Sequence, residues 1–199
     1  MDLGSGKMAL EYQRYGRNKD TLVNKAYLNG GEYRRKFDNA TENPLVNKTL
    51  YNCAKEALIH RSGTLYEDMY WIDGDNGKLL FSVLDSVDEQ AIVYTEKIRA
   101  NIKANSNIVT LHTHPNSMPP SASDFNSSYY NDYRECFVAC HDGKVYRYTA
   151  DESINERIYD MYIQKYIKNG LSEFEAQLKT LERLSGLLNI EFCEVTSNG

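Results

Sequence analysis

Between residues 111 and 124 the chain reads Leu-His-Thr-His-Pro-Asn-Ser-Met-Pro-Pro-Ser-Ala-Ser-Asp. The residue types and their spacing there suit a metal centre. His112 and His114 alternate at strand spacing, so both imidazoles leave the same face and can converge on one ion. Pro115 stops the strand, and Pro119-Pro120 stiffens the return. Asp124 falls in the first turn of the next helix and offers a hard oxygen ligand. Two imidazoles and one carboxylate leave the fourth tetrahedral position to water, as in a catalytic rather than a structural zinc (Zn2+) site. Zinc draws the pKa of such a water toward about 7, where a nearby carboxylate can act as general base. That carboxylate must come from elsewhere in the chain. The plainer reading is a polar strand end followed by an Asp-capped helix, since Asp at a helix start is common.

The elements that must hold these residues can be read from periodicity. Asn43-Pro44 opens a helix, a capping side chain followed by proline at the first helical position. Leu50, Cys53, Ala54, Ala57 and Leu58 give it one apolar face, and Gly63 ends it. Leu65 to Asp73 and Lys78 to Leu84 read as strands around the turn Asp-Gly-Asp-Asn-Gly. Tyr94, Ile98 and Ile102 predict a helix over Thr95 to Lys103. Ile108 to Thr113 is a β-branched strand running into the histidines. Ser123 to Tyr133, opening with Ser-Ala-Ser-Asp, predicts a capped helix. Glu135 to Cys140 and Val145 to Thr149 flank His141-Asp142-Gly143 as a second strand pair. Two apolar stripes, Ile154 to Tyr162 and Phe174 to Leu188, predict a C-terminal helical hairpin, followed by an apolar tail from Ile190 to Val195. The expected fold is α+β, a mixed and mostly antiparallel sheet with helices on its faces. Three zones follow: residues 1–42 as an arm or short helices, 43–150 as the chemical domain, and 151–199 as a helical appendage.

Composition narrows the function classes. With 199 residues, 41 % hydrophobic and 26 % charged, the chain has the make-up of a globular protein. A net charge of −5 and the lack of a basic stripe argue against nucleic acid as partner. No apolar run is long enough to cross a bilayer. Met1 to Lys7 reads as a lead-in rather than a signal peptide. Four cysteines in a chain this long make no disulfide framework, and Cys136 and Cys140, which point to one strand face, read as small core residues in a reducing, cytoplasmic compartment. Sixteen tyrosines fit half-buried faces, or else the interface of an oligomer or assembly partner. His60 at a helix end, His141 in its tight turn and Trp71 in the core are expected to be structural. The Asp73 to Gly77 loop lacks the glutamate of a calcium loop.

His112-Thr-His114-Pro115 followed by Ser121-Ala-Ser-Asp124 resembles the His-x-His-Pro…Ser-x-x-Asp signature of the JAMM (JAB1/MPN+) zinc metalloproteases. That family also carries an upstream glutamate at the start of an apolar strand, matched here by Glu67 before Met69-Tyr-Trp-Ile72. The resemblance implies that His112, His114 and Asp124 bind zinc, that Glu67 holds and deprotonates the water, and that Ser121 supports the oxyanion. Asp68, facing the other side of the strand, competes with Glu67 for the base. Ser62-Gly-Thr leading to Glu67 is similar to the bacterial RadC-like branch. Arg61-Ser-Gly-Thr and the His-Asp-Gly turn resemble segments of phage head-morphogenesis proteins. The implied activity is hydrolysis of a protein or peptide substrate at a peptide or isopeptide bond. A metal-binding scaffold or phage assembly module, and a RadC-like role on DNA, are the alternatives.

Overall fold

Residues 18–197 are described by the computed structural model, and the expected lead-in Met1 to Lys7 lies outside them. After a 3-10 turn (Lys19–Thr21) come α1 (Lys25–Leu28), α2 (Gly31–Arg35) and α3 (Pro44–Arg61). The sheet is then built from β1 (Met69–Asp73), β2 (Leu79–Val83), β3 (Ile108–His114), β4 (Glu135–Cys140), β5 (Val145–Ala150) and β6 (Ile190–Glu194). The intervening helices are α4 (Glu96–Lys103), α5 (Ala122–Tyr130), α6 (Glu156–Lys168) and α7 (Glu173–Ser185). The expected α+β architecture is therefore the observed one. The strands form a single mixed sheet of order β2-β1-β3-β4-β5-β6. Only β3 and β4 run parallel, with α5 as their crossover; the other neighbouring pairs are antiparallel.

Period-two alternation sorts the strand residues onto two buried faces. Tyr70, Ile72, Val109, Leu111, Phe137, Ala139 and Val145 pack against α3 and the aromatic residues Tyr33 and Phe37 of the N-terminal segment. Met69, Trp71, Ile108, Cys136, Val138, Tyr146 and Tyr148 meet α4, α5, α6 and α7 on the other side. Buried tyrosines such as Tyr33, Tyr70, Tyr133 and Tyr148 serve this packing, while Tyr129 and Tyr130 stay exposed. Trp71 stacks on Phe81 at 4.6 Å between ring centroids, and its indole N–H donates to Tyr133 Oη at 2.9 Å. Cys136 and Cys140 share the second face and are buried there as expected.

Local signals place the boundaries. Asn43 accepts from Leu45 N at the start of α3, with Pro44 in the first turn. Gly77 closes the β1–β2 hairpin with φ +71, and a Cβ there would meet the Leu45 carbonyl carbon at 2.5 Å, so the turn needs glycine on both counts. The strand expected from Leu65 begins only at Met69, which leaves Glu67 and Asp68 outside the regular ladder. The tail from Ile190 adds to the sheet as β6 beside β5, a pairing that its short apolar pattern could not announce. The two C-terminal helices form the expected hairpin on the second face. No helix among the described residues is long and apolar enough to cross a membrane.

The two faces can be tested separately. Phe137→Ala, fully buried on the α3 side, should cost about 3–5 kcal/mol in urea unfolding. A loss under about 1 kcal/mol would mean that this side is not a packed core.

Candidate metal centre

The centre lies on the second face at the C-terminal end of β3. His112 and His114 project there, while Thr113 between them points to the opposite face. Both histidines are buried, and their Nε2 atoms lie 3.0 Å apart. The loop after β3 is held rather than loose. His114 Nδ1 donates to the Met118 carbonyl at 2.8 Å, which leaves Nε2 with its lone pair for an ion. Gln177 on α7, itself buried, donates to the Pro119 and Pro120 carbonyls at 2.8 and 3.1 Å. The return therefore delivers α5 in a fixed position under the histidines.

Asp124 is the third residue of α5. Its Oδ1 stands 3.2 Å from His112 Nε2 and its Oδ2 stands 3.5 Å from His114 Nε2. Glu67 arrives from the β1 side, buried at 6 % exposure. Glu67, His112 and His114 form a buried group able to hold a metal ion, with ligand atoms all within 4.8 Å of one another. Ligand atoms around a tetrahedral zinc with bonds of about 2.0–2.1 Å are separated by roughly 3.3 Å. The His112–His114 edge of 3.0 Å lies near that value, while Asp124 meets the two rings through different oxygens, Oδ1 to His112 and Oδ2 to His114, and stands beside the Glu67, His112 and His114 group. The two Nε2 atoms face each other at 3.0 Å, close enough to share a proton or to take a cation between them, and the donor set fits the latter.

Electrostatics follow from burial and proximity. Burial pushes the Glu67 carboxyl above its ordinary value, partly offset by His114 and His112. Burial also lowers His114, but hydrogen bonding and charge from Asp124 and the charge of Glu67 outweigh it and carry the imidazole up to about 9. Asp124 is raised by burial yet held well below the carboxylate range by the two histidines. Two acidic side chains and two imidazoles gathered in so buried a place form a donor set that a divalent cation would suit.

The remaining expectations divide. Ser121 is the N-cap of α5; its Oγ donates to Asp124 Oδ2 at 2.8 Å and its backbone N–H does so at 2.7 Å, completing a capping box. Its hydroxyl also lines the metal-side cavity of about 300 Å³ together with Glu67, Met69, Tyr94, Tyr148 and Gln177. Asp68 turns away from the centre, as the alternation of side chains requires. Its carboxylate takes Arg61 Nε at 2.5 Å and His60 Nδ1 at 2.7 Å. His60 and His141 are structural, the latter bound through Nδ1 to the Thr21 carbonyl at 2.6 Å. Sequence reasoning missed Gln177 and the Met118 carbonyl as supports of the centre. Gln177 sits on an ordinary helical stripe and gives no local signal, whereas a carbonyl within a Pro-rich return after His-x-His could have been suspected. No family model, curated protein or solved structure matches the chain.

Added Zn2+ should raise the thermal unfolding midpoint of the metal-free protein if the group holds it, because a donor set assembled by the fold favours the folded state. His114→Ala should abolish that rise; an equal rise in the variant would place the ion elsewhere.

Proposed function

We propose that the chain is a zinc-dependent hydrolase of peptide or isopeptide bonds acting on a protein or peptide substrate. The observation that carries this reading is Glu67, a carboxylate buried in a cavity and gathered with His112 and His114 into one group able to hold an ion, with Asp124 beside the two rings. Hydrolysis needs a base beside the metal, and Glu67, the second carboxylate near the imidazoles, is placed to be one. The JAMM-like order of Glu67, His112, His114, Ser121 and Asp124 supports the same assignment.

His112, His114 and Asp124 would hold the zinc, which polarises the scissile carbonyl and acidifies water. Glu67, its basicity raised by burial, takes the proton from the attacking water and passes it to the leaving nitrogen. Ser121 donates its hydroxyl to the oxygen that gains charge in the tetrahedral intermediate. When that hydroxyl leaves Asp124, the Ser121 backbone N–H still holds the carboxylate at 2.7 Å, so the ligand keeps its orientation. Tyr94, linked to Ser127 at 3.1 Å and to Tyr133 at 3.4 Å, forms a polar wall of the same cavity.

One observation favours a second reading, a metal-binding assembly module without turnover. Ser121 and Asp124 satisfy each other as a capping box, and that arrangement alone accounts for both residues. Substrate turnover separates the two.

Glu67→Gln should still load zinc when the metal is in excess, and should lose at least about a hundredfold in turnover of a peptide or isopeptide substrate, the scale of a lost general base. His114→Ala should lose both metal and turnover. A fully active Glu67→Gln protein would remove Glu67 from the mechanism, and a zinc-loaded wild type inert on every such substrate would favour the assembly module.

A further inference from the structure

Glu67 has an exacting position and little regular structure to provide it. It lies after the bridge residue Tyr66 and before β1 begins at Met69, so no ladder of the sheet fixes its backbone. Its neighbour Asp68 is held through both its backbone and its side chain. The Asp68 N–H donates to Thr113 Oγ1 at 3.1 Å, and the Asp68 carbonyl accepts from the Thr113 N–H at 3.1 Å. The Asp68 side chain, fully buried, binds Arg61 and His60 at the C-terminal end of α3. Arg61 is fully buried as well. The linker from α3 is tied in turn, since the Arg61 carbonyl accepts from Thr64 N at 3.0 Å and from Thr64 Oγ1 at 2.8 Å.

Thr113 is the residue between the two histidines. Because successive side chains of a strand face opposite ways, its hydroxyl leaves the face that His112 and His114 do not use. One strand therefore presents two imidazoles to the ion on one side and a clamp for Asp68 on the other. Asp68 and Glu67 repeat the division: one side chain to the clamp, the next to the centre. The spacing between carboxylate and imidazoles is thereby set within a single short stretch of hydrogen bonds.

We propose that Thr113 and Asp68 are positioning residues, which fix Glu67 against the metal centre through a buried bracket joining α3, the lead-in to β1 and the strand that carries His112 and His114. The bracket has no contact with substrate and acts through Glu67. This rests on the reading of Glu67 as the carboxylate that faces the ion. A displacement of about 1 Å at a catalytic group is enough to cost on the order of a hundredfold in rate, so such a bracket has a purpose beyond stability.

Asp68→Asn would strip buried Arg61 of Asp68's charge and is expected to fail to fold. Thr113→Val removes only the hydroxyl and keeps the β-branched shape, so it is the variant to use. Zinc affinity, measured by chelator competition, is compared for wild type, Glu67→Gln, Thr113→Val and the double variant, with metal-free melting temperatures as a check on folding. Glu67→Gln should weaken zinc by about tenfold, and Thr113→Val by several-fold toward that limit, the usual range for groups that orient a metal site. In the Glu67→Gln background, Thr113→Val should have no further effect, and Thr113→Ser should restore wild-type affinity. Equal losses from Thr113→Val in both backgrounds would show that it acts through the fold or the histidines, and no loss in either would show that the hydroxyl is idle; each overturns the proposal. The cycle needs no substrate, so it remains decisive if the chain hydrolyses nothing, and an inert enzyme with the expected cycle would count against the hydrolase reading alone.

Discussion

Strand β3 is buried on both faces, and its two-residue period divides its side chains between two different tasks. His112 and His114 leave toward α5, and Thr113 leaves toward the lead-in from α3. A slip of one residue in the pairing with β1 or β4 would exchange these faces and put a threonine where two imidazoles must converge. The register Met69↔His112 on one side and His112↔Val138 on the other therefore fixes the centre. The parallel β3–β4 pair requires a crossover, and the crossover helix α5 is the element that returns Asp124 to the histidines. The topology and the placing of Asp124 beside the histidines are consequences of the same connection.

Packing on the two faces has matching roles. The α3 side is an apolar layer closed by Tyr33, Phe37 and Leu50, and it sets the depth at which Arg61 and Asp68 meet. On the other side α7 supplies Gln177, which holds the Pro119-Pro120 return from behind. The C-terminal hairpin thus does more than cover apolar surface. It stabilises the loop whose Met118 carbonyl orients His114.

Much of this was legible in the sequence because the informative patterns are local. Strand alternation placed both histidines on one side, the Ser-Ala-Ser-Asp run announced a capped helix, and Asn43-Pro44 announced the start of α3. The mixed sheet followed from strand pairs interleaved with helical stripes. What escaped were features decided by distant contacts. The Leu65 to Asp68 stretch has strand-like composition, yet Asp68 is claimed by Arg61, His60 and Thr113, and the ladder begins after it. The Ile190 tail became β6 because β5 offered a free edge with matching register, which no property of the tail itself could reveal. Gln177 is one polar residue on a long helix until Pro119 and Pro120 are brought to it. The choice between Glu67 and Asp68 could be posed from alternation but needed the fold to show that Asp68 is committed elsewhere.

The central claim is that His112, His114, Asp124 and Glu67 surround a zinc ion. Metal analysis by mass spectrometry on protein purified without added metal tests it most directly. About one zinc per chain is the expected result, since two imidazoles and a carboxylate suit that ion. Protein that carries no zinc, and takes up none on reconstitution, would contradict it and leave a strand end beside a capped helix.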